Sequence, residues 1–298
     1  MESQSESWIV VATTADERRC AELVLVLTAR GFENRTLRTF SGWQIAVPGA
    51  VAEHAAMELA AYRDENARAT GPQRLPEIGL GLPAAALYAL TLLVTFVCVR
   101  GNAFGLDWYG AGRLVAGRVV DGEWWRAVTA LTVHLDLDHL GGNLAFGAFF
   151  GYFAARYLGP GVAWLAILGS GTLGNVLNAL AQDAQHRSIG ASTAVFAALG
   201  LLTAYTWRRG FIRETPWRAR IAPIIAGLGL LAFTGTGGEN TDLFAHLTGF
   251  VSGFACGLLL ARYASVDITR LPKTQRICGV AAATLLAGAW AWGLRSVG

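Results

Sequence analysis

Seven apolar stretches, each near the ~20 residues that a helix needs to cross hydrocarbon, set what this 298-residue chain can fold into. They run over residues 82–99, 139–155, 162–180, 189–207, 221–236, 243–260 and 277–294. A bilayer core offers no water to satisfy backbone N–H and C=O groups, so such stretches must be helices. Composition agrees: 53% of residues are hydrophobic and 15% charged, outside the usual range of a soluble globular domain. The class expected is an all-α polytopic membrane protein. A net charge of +3, dispersed along the chain, argues against nucleic acid as a partner. Cys20, Cys98, Cys256 and Cys278 are scattered and suggest neither a disulfide framework nor a metal site. Met1 to Ser7 is polar, and no basic flank precedes a short apolar core, so no cleavable signal peptide is expected.

Residues 1–70 read differently, as a small soluble α+β domain of β-α-β-β-α order. Trp8 to Ala12 is a short strand, and Thr14-Ala-Asp-Glu17 has the form of a capping box. Cys20, Leu23, Val24 and Leu27 then recur at helical spacing, and Gly31 closes that helix. Thr36 to Phe40 and Trp43 to Val47 suggest a hairpin across Ser41-Gly42, covered by a second helix from Ala50 to about Ala69. Gly71, Pro72, Pro76 and Gly79 mark a linker over residues 71–81.

Basic residues in the loops predict orientation. With the N-terminus cytoplasmic, the inside loops carry Arg208, Arg209, Arg213, Arg218 and Arg220 after the fourth stretch, and Arg262, Arg270, Lys273 and Arg276 after the sixth. The loop from Gly235 to Asp242 has no basic residue and carries Glu239 and Asp242, as an outside loop should. On that reading the second, fourth and sixth spans all enter from the outer face, and the seventh leaves the C-terminus outside.

Polar residues are concentrated at those three entrances. They are His134-Leu-Asp-Leu-Asp-His139-Leu-Gly-Gly-Asn143, Gly190-Ala-Ser192-Thr-Ala194 and Ala245-His246-Leu-Thr-Gly249-Phe-Val-Ser-Gly253. At 1.5 Å per residue, Ser192 and His246 sit at a similar depth, roughly 4 to 6 Å below the outer boundary. Strongly polar groups in a bilayer are costly and point to a functional site. A serine hydroxyl becomes a nucleophile when a histidine takes its proton, which makes Ser192 and His246 the natural pair. The free N–H groups where the Ser192 helix starts favour a developing oxyanion. His139 and Asn143, at i and i+4, share one helical face and can donate to the same oxygen.

Blander readings stand beside these. A lone serine in an apolar helix bonds the carbonyl one turn back, and a lone histidine satisfies a packing contact. His134, Asp136, Asp138 and His139 are competent metal ligands, but three of them alternate and cannot share one helical face, so no metal is expected. Gly249, Gly253 and Gly257 form a helix-packing seam, compatible with catalysis because close approach would bring Ser192 to His246. Trp124 and Trp125 suit interfacial anchors. His54 and His186 read as solvated, and Asp242 as the end of a loop.

Taken together, Glu123-Trp-Trp125-Arg126, His134 to Asn143, Gly190 to Ala194 and Ala245 to Gly253 resemble the signatures of the rhomboid intramembrane serine proteases. The resemblance implies a six-helix core over residues 82–262, with residues 263–298 adding a cytoplasmic loop and a seventh transmembrane helix. It implies a catalytic dyad of Ser192 and His246, and an oxyanion hole made by His139, Asn143 and the Ser192 N–H. Phe196 takes the place of the family's aromatic ring beneath the histidine. Gly190, Gly249, Gly253, Trp125 and Arg126 are the supporting residues. Ala194 departs from the family's closing glycine and is still small.

The implied partners are transmembrane protein substrates in a lipid bilayer, expected to be a bacterial inner membrane, with no cofactor; the oligomeric state is open. The alternative is a non-catalytic rhomboid-like protein that binds membrane clients and guides their fate.

Overall fold

The computed structural model describes residues 7–40, 42–68, 81–209, 225, 229, 242–264 and 266–297. The linker and the fifth apolar stretch, apart from Gly81, Ile225 and Gly229, lie outside the described residues. The chain divides into two compact units, Met1–Gln73 and Arg74–Gly298.

In the first unit, β1 (Trp8–Thr14), β2 (Arg35–Thr39) and β3 (Gly42–Pro48) form an antiparallel sheet of order β1-β3-β2. Helices α1 (Glu17–Ala29) and α2 (Ala52–Arg68) bury Leu23, Leu27, Ala55 and Leu59 with Ile45 and Val47 of the central strand. The start of α1 differs from the expected capping box. Asp16 is the cap, accepting the Arg18 N–H at 2.9 Å, while the Thr14 hydroxyl accepts the Asp16 N–H at 3.2 Å. Asp competes well for the N-cap because its short carboxylate reaches the first-turn N–H groups. Gly31, at φ +81°, makes the turn after α1 in a region that L side chains avoid.

The second unit is a helical bundle of a multi-pass membrane protein. Its long helices are α3 (Gly81–Gly101), α7 (Leu137–Leu158), α8 (Pro160–Ala181), α9 (Ser192–Arg208), α10 (Leu243–Tyr263) and α12 (Pro272–Val297). Among the described residues, four of them, α3, α8, α10 and α12, are long and apolar enough to cross a bilayer. The short helices α4 (Trp108–Gly112), α5 (Ala116–Val120) and α6 (Trp125–Thr129) fold the segment between α3 and α7, and α11 (Val266–Arg270) precedes α12. Short strands β4 (Leu114–Val115) and β5 (Arg187–Ser188) pair antiparallel and tie that segment to the loop before α9.

Arg126 organises this inter-helix segment. Its side chain is fully buried and donates to the carbonyls of Gly110 at 2.7 Å and Arg113 at 2.9 Å while pairing with Glu123. Burying a guanidinium is costly unless it is paired, and here Nε and Nη1 are bonded while Nη2 has no partner among the described residues. The C-terminal helix α12 docks at both ends. Near its start, Gln275 Oε1 accepts the N–H groups of Gly161 (2.7 Å) and Val162 (3.2 Å), capping α8. Near its end, the Trp290 ring lies against Gly112, and Gly293 faces Trp125, each leaving no room for a Cβ on the glycine.

Candidate active site

Helices α9 and α10 approach so closely that glycine is obligatory along the seam. A Cβ built on Gly249 would lie 2.3 Å from the Thr193 carbonyl oxygen. Gly253 and Gly257 meet the carbonyls of Ala197 and Leu201 in the same way, at 2.0 and 2.4 Å. Backbone-to-backbone contact of this kind is how helices associate in lipid, where no hydrophobic drive operates between them.

The two expected reactive residues flank this seam. Ser192 is the first residue of α9 and next to Thr193; His246 is one turn before Gly249 and 5% exposed. The His246 ring stacks on Phe196, one turn beyond Ser192, with centroids 4.6 Å apart and planes inclined by 25°. Among the described residues no group bonds His246 Nδ1, and the face of the ring is held by its stack on Phe196.

Gly190 makes the turn into Ser192. Its φ of +114° needs glycine, and a Cβ there would strike the His139 ring, 2.5 Å from Cε1, and come within 3.5 Å of Asn143 Nδ2. His139 and Asn143 therefore border the entrance of α9, from the first two turns of α7. Trp125 and Arg126 lie apart from this cluster, in the α4–α6 segment.

Two residues without a chemical role in the sequence reading are wired into the site. His134 is fully buried. Its Nδ1 faces the Thr132 carbonyl at 3.2 Å, and its Nε2 faces Asn143 Nδ2 at 3.0 Å and the Ala191 N–H at 3.3 Å.

Asp242, read as a loop end, is a node instead. Its Oδ1 caps α10 by accepting the Ala245 N–H at 3.0 Å, and its Oδ2 accepts from Asn178 at 2.6 Å and from His186 Nε2 at 2.8 Å. His186 is thus paired rather than solvated, a contact 56 residues away in sequence that no local pattern announces. Burial raises the Asp242 pKa, but the Ala245 N–H, His186, Asn178 and Ser188 outweigh it and hold the carboxyl below its ordinary value. The start of the His246 helix is thereby fastened to the end of α8 and to the loop before Ser192.

No group of three or more His, Cys, Asp or Glu among the described residues is arranged to hold a metal.

Residues 121–263 match the sequence profile of the rhomboid domain. YdcA of Bacillus subtilis, which carries the rhomboid protease name, is 28% identical over 47% of this chain and 69% of its own length. Rhomboid protease GluP of the same organism is 32% identical over 46% of this chain and 26% of its own. Rhomboid-type serine protease 2 of Emericella nidulans is 30% identical, over 54% and 32%. The chain thus spans about two thirds of the first relative and a third or less of the other two.

Proposed function

Since the chain belongs to the rhomboid family, we propose that it is an intramembrane serine endopeptidase that cuts transmembrane proteins in or near a membrane-spanning helix. The observation that supports this reading is the glycine seam, which seats Gly249 of α10 on Thr193 of α9, with Ser192 the neighbour of Thr193 and the Phe196-stacked His246 one turn before Gly249.

In the proposed reaction, His246 takes the Ser192 proton as Oγ attacks the scissile carbonyl. The oxyanion is received by His139, Asn143 and the Ser192 N–H. A hydrogen bond in this preorganised setting strengthens as charge develops, and that is the source of rate. His246 then protonates the leaving amine, and water, activated by the same histidine, releases the acyl group from Ser192. No cofactor enters. A substrate helix hides its carbonyls in internal hydrogen bonds, so the substrate must unwind locally before attack; helix-weakening residues near the cut follow from that requirement.

In this account residues 82–262 are the six-span catalytic core. The Arg-rich loops put the N-terminus in the cytoplasm, and the site faces the outer side. The test is purified protein in proteoliposomes with a single-span reporter carrying a Gly-containing helix. A product whose mass places the cut near the outer end of the span supports the proposal. An intact reporter that still co-purifies with the protein favours the client-binding alternative.

A further inference from the structure

The C-terminal helix has no part in the dyad, yet buried hydrogen bonds on either side of Thr132, one to its hydroxyl and one to its carbonyl, join it to the site. Trp290 Nε1 of α12 donates to the Thr132 hydroxyl at 3.1 Å, and that hydroxyl donates to the Thr129 carbonyl at 2.8 Å. The next link is the Thr132 carbonyl, which faces His134 Nδ1. The last is His134 Nε2, which meets both Asn143 Nδ2 and the Ala191 N–H. Trp290, Thr132, His134, Asn143 and Ala191 are each at most 8% exposed. Water cannot replace a lost partner in such a chain.

The chemistry of the ends decides the middle. A carbonyl only accepts, so Thr132 requires the proton on His134 Nδ1; a backbone N–H only donates, so Ala191 requires Nε2 to accept. His134 is therefore the neutral Nδ1–H tautomer. An accepting Nε2 in turn forces the Asn143 amide to present its NH2 group rather than its oxygen. One N–H of that amide goes to His134, and the other remains for a second acceptor beside Gly190.

We propose that His134 is a positioning residue which fixes the polarity of the Asn143 amide and the height of Ala191 before Ser192, and that α12 braces it through Trp290 and Thr132. The inference rests on the oxyanion role proposed for Asn143. Without His134 the amide is free to turn its oxygen toward the site, where it would repel an oxyanion instead of receiving it. The seventh helix is then a buttress of the oxyanion side, held by Gly112 beneath Trp290 and by the Trp108 ring, 5.0 Å from that of Trp290.

The experiment measures the second-order rate at which a fluorophosphonate labels the full-length protein in detergent, because its phosphoryl oxygen occupies the oxyanion position. Asn143→Ala should slow labelling by roughly 10²-fold. His134→Leu should slow it comparably, and the double variant should be no slower than either single one. His134→Gln, whose side-chain oxygen accepts from both Asn143 and Ala191, should recover most of the rate. Trp290→Phe keeps an aromatic ring and loses the donor, and should cost about 2- to 10-fold, the worth of one hydrogen bond.

Multiplicative losses in the double variant, or His134→Leu labelling at the wild-type rate per folded molecule, would overturn the proposal. Should the wild type take no label, the protease reading fails. The relay is then judged from ¹⁵N-histidine spectra, in which Asn143→Ala must move the His134 Nε2 resonance and Trp290→Phe the Nδ1 resonance. Unmoved resonances refute it.

Discussion

Replacing Gly249 with alanine adds a single methyl group where the seam lies against Thr193, the neighbour of Ser192. That carbon would lie 2.3 Å from the Thr193 carbonyl oxygen and 3.0 Å from its Cγ2. A carbon tolerates a carbonyl oxygen at about 3.3 Å, so α10 must retreat from α9 by about 1 Å. The Thr193 oxygen belongs to the first turn of α9 and cannot rotate aside as a side chain would. Displacement of this size between reacting groups costs ~10²-fold in rate, so Gly249→Ala should lower reporter cleavage in proteoliposomes by about that factor. Gly169→Ala and Gly288→Ala are the controls, because a Cβ at either position meets nothing within 4 Å. Both should cleave at the wild-type rate and unfold no earlier, since alanine is the better helix former by about 1 kcal/mol. Thermal unfolding of all three variants separates a moved helix from an unfolded one. Wild-type turnover in a folded Gly249→Ala protein would refute the claim that the seam sets the distance between Ser192 and His246.

Other elements of the account are open to equally direct tests. Removing the buried Arg126 guanidinium in Arg126→Met strands the Gly110 and Arg113 carbonyls and should destabilise the protein by about 2–3 kcal/mol, read by chemical unfolding in detergent. Asp242 has a folded pKa below its unfolded value, so its contribution is present above the ordinary carboxylate pKa of about 3.9 and is lost as pH falls through the lower folded value. Unfolding temperature should therefore drop in acid more steeply for wild type than for Asp242→Asn, and parallel curves would exclude Asp242 as the source. Deleting residues 1–73 should leave cleavage in detergent within a few-fold of wild type, because every site residue follows that unit; complete loss in a folded truncation would make the unit part of the catalytic machinery.

What was legible in the sequence follows the range of the forces involved. Hydropathy and the motifs at helix entrances are local, and the long helices of the structure fall within a few residues of the apolar stretches that announced them. The glycine repeat at 249, 253 and 257 also announced its seam, because a four-residue period is a property of one helix face. Local competition was harder to read. Thr14 and Asp16 both offer a cap to α1, and the pattern favoured the threonine where the carboxylate prevails. Polar contacts across the bundle that no motif carries were not legible. The His186–Asp242 pair and the Trp290–Thr132 bond join residues 56 and 158 positions apart, and each partner alone looks like a solvated histidine, a loop aspartate or an interfacial tryptophan. His134 is the clearest case. Its part is set by a carbonyl, an amide and a backbone N–H that only the fold brings together.

The central claim is that Ser192 is a nucleophile activated by His246. Peptide mapping of fluorophosphonate-labelled wild-type protein tests it most directly. The account predicts a single labelled site at Ser192, no label in Ser192→Ala or His246→Ala, and no further change in the double variant, since the two residues act as a unit. Label that persists at its wild-type rate in folded His246→Ala, or that maps to any residue other than Ser192, would contradict it.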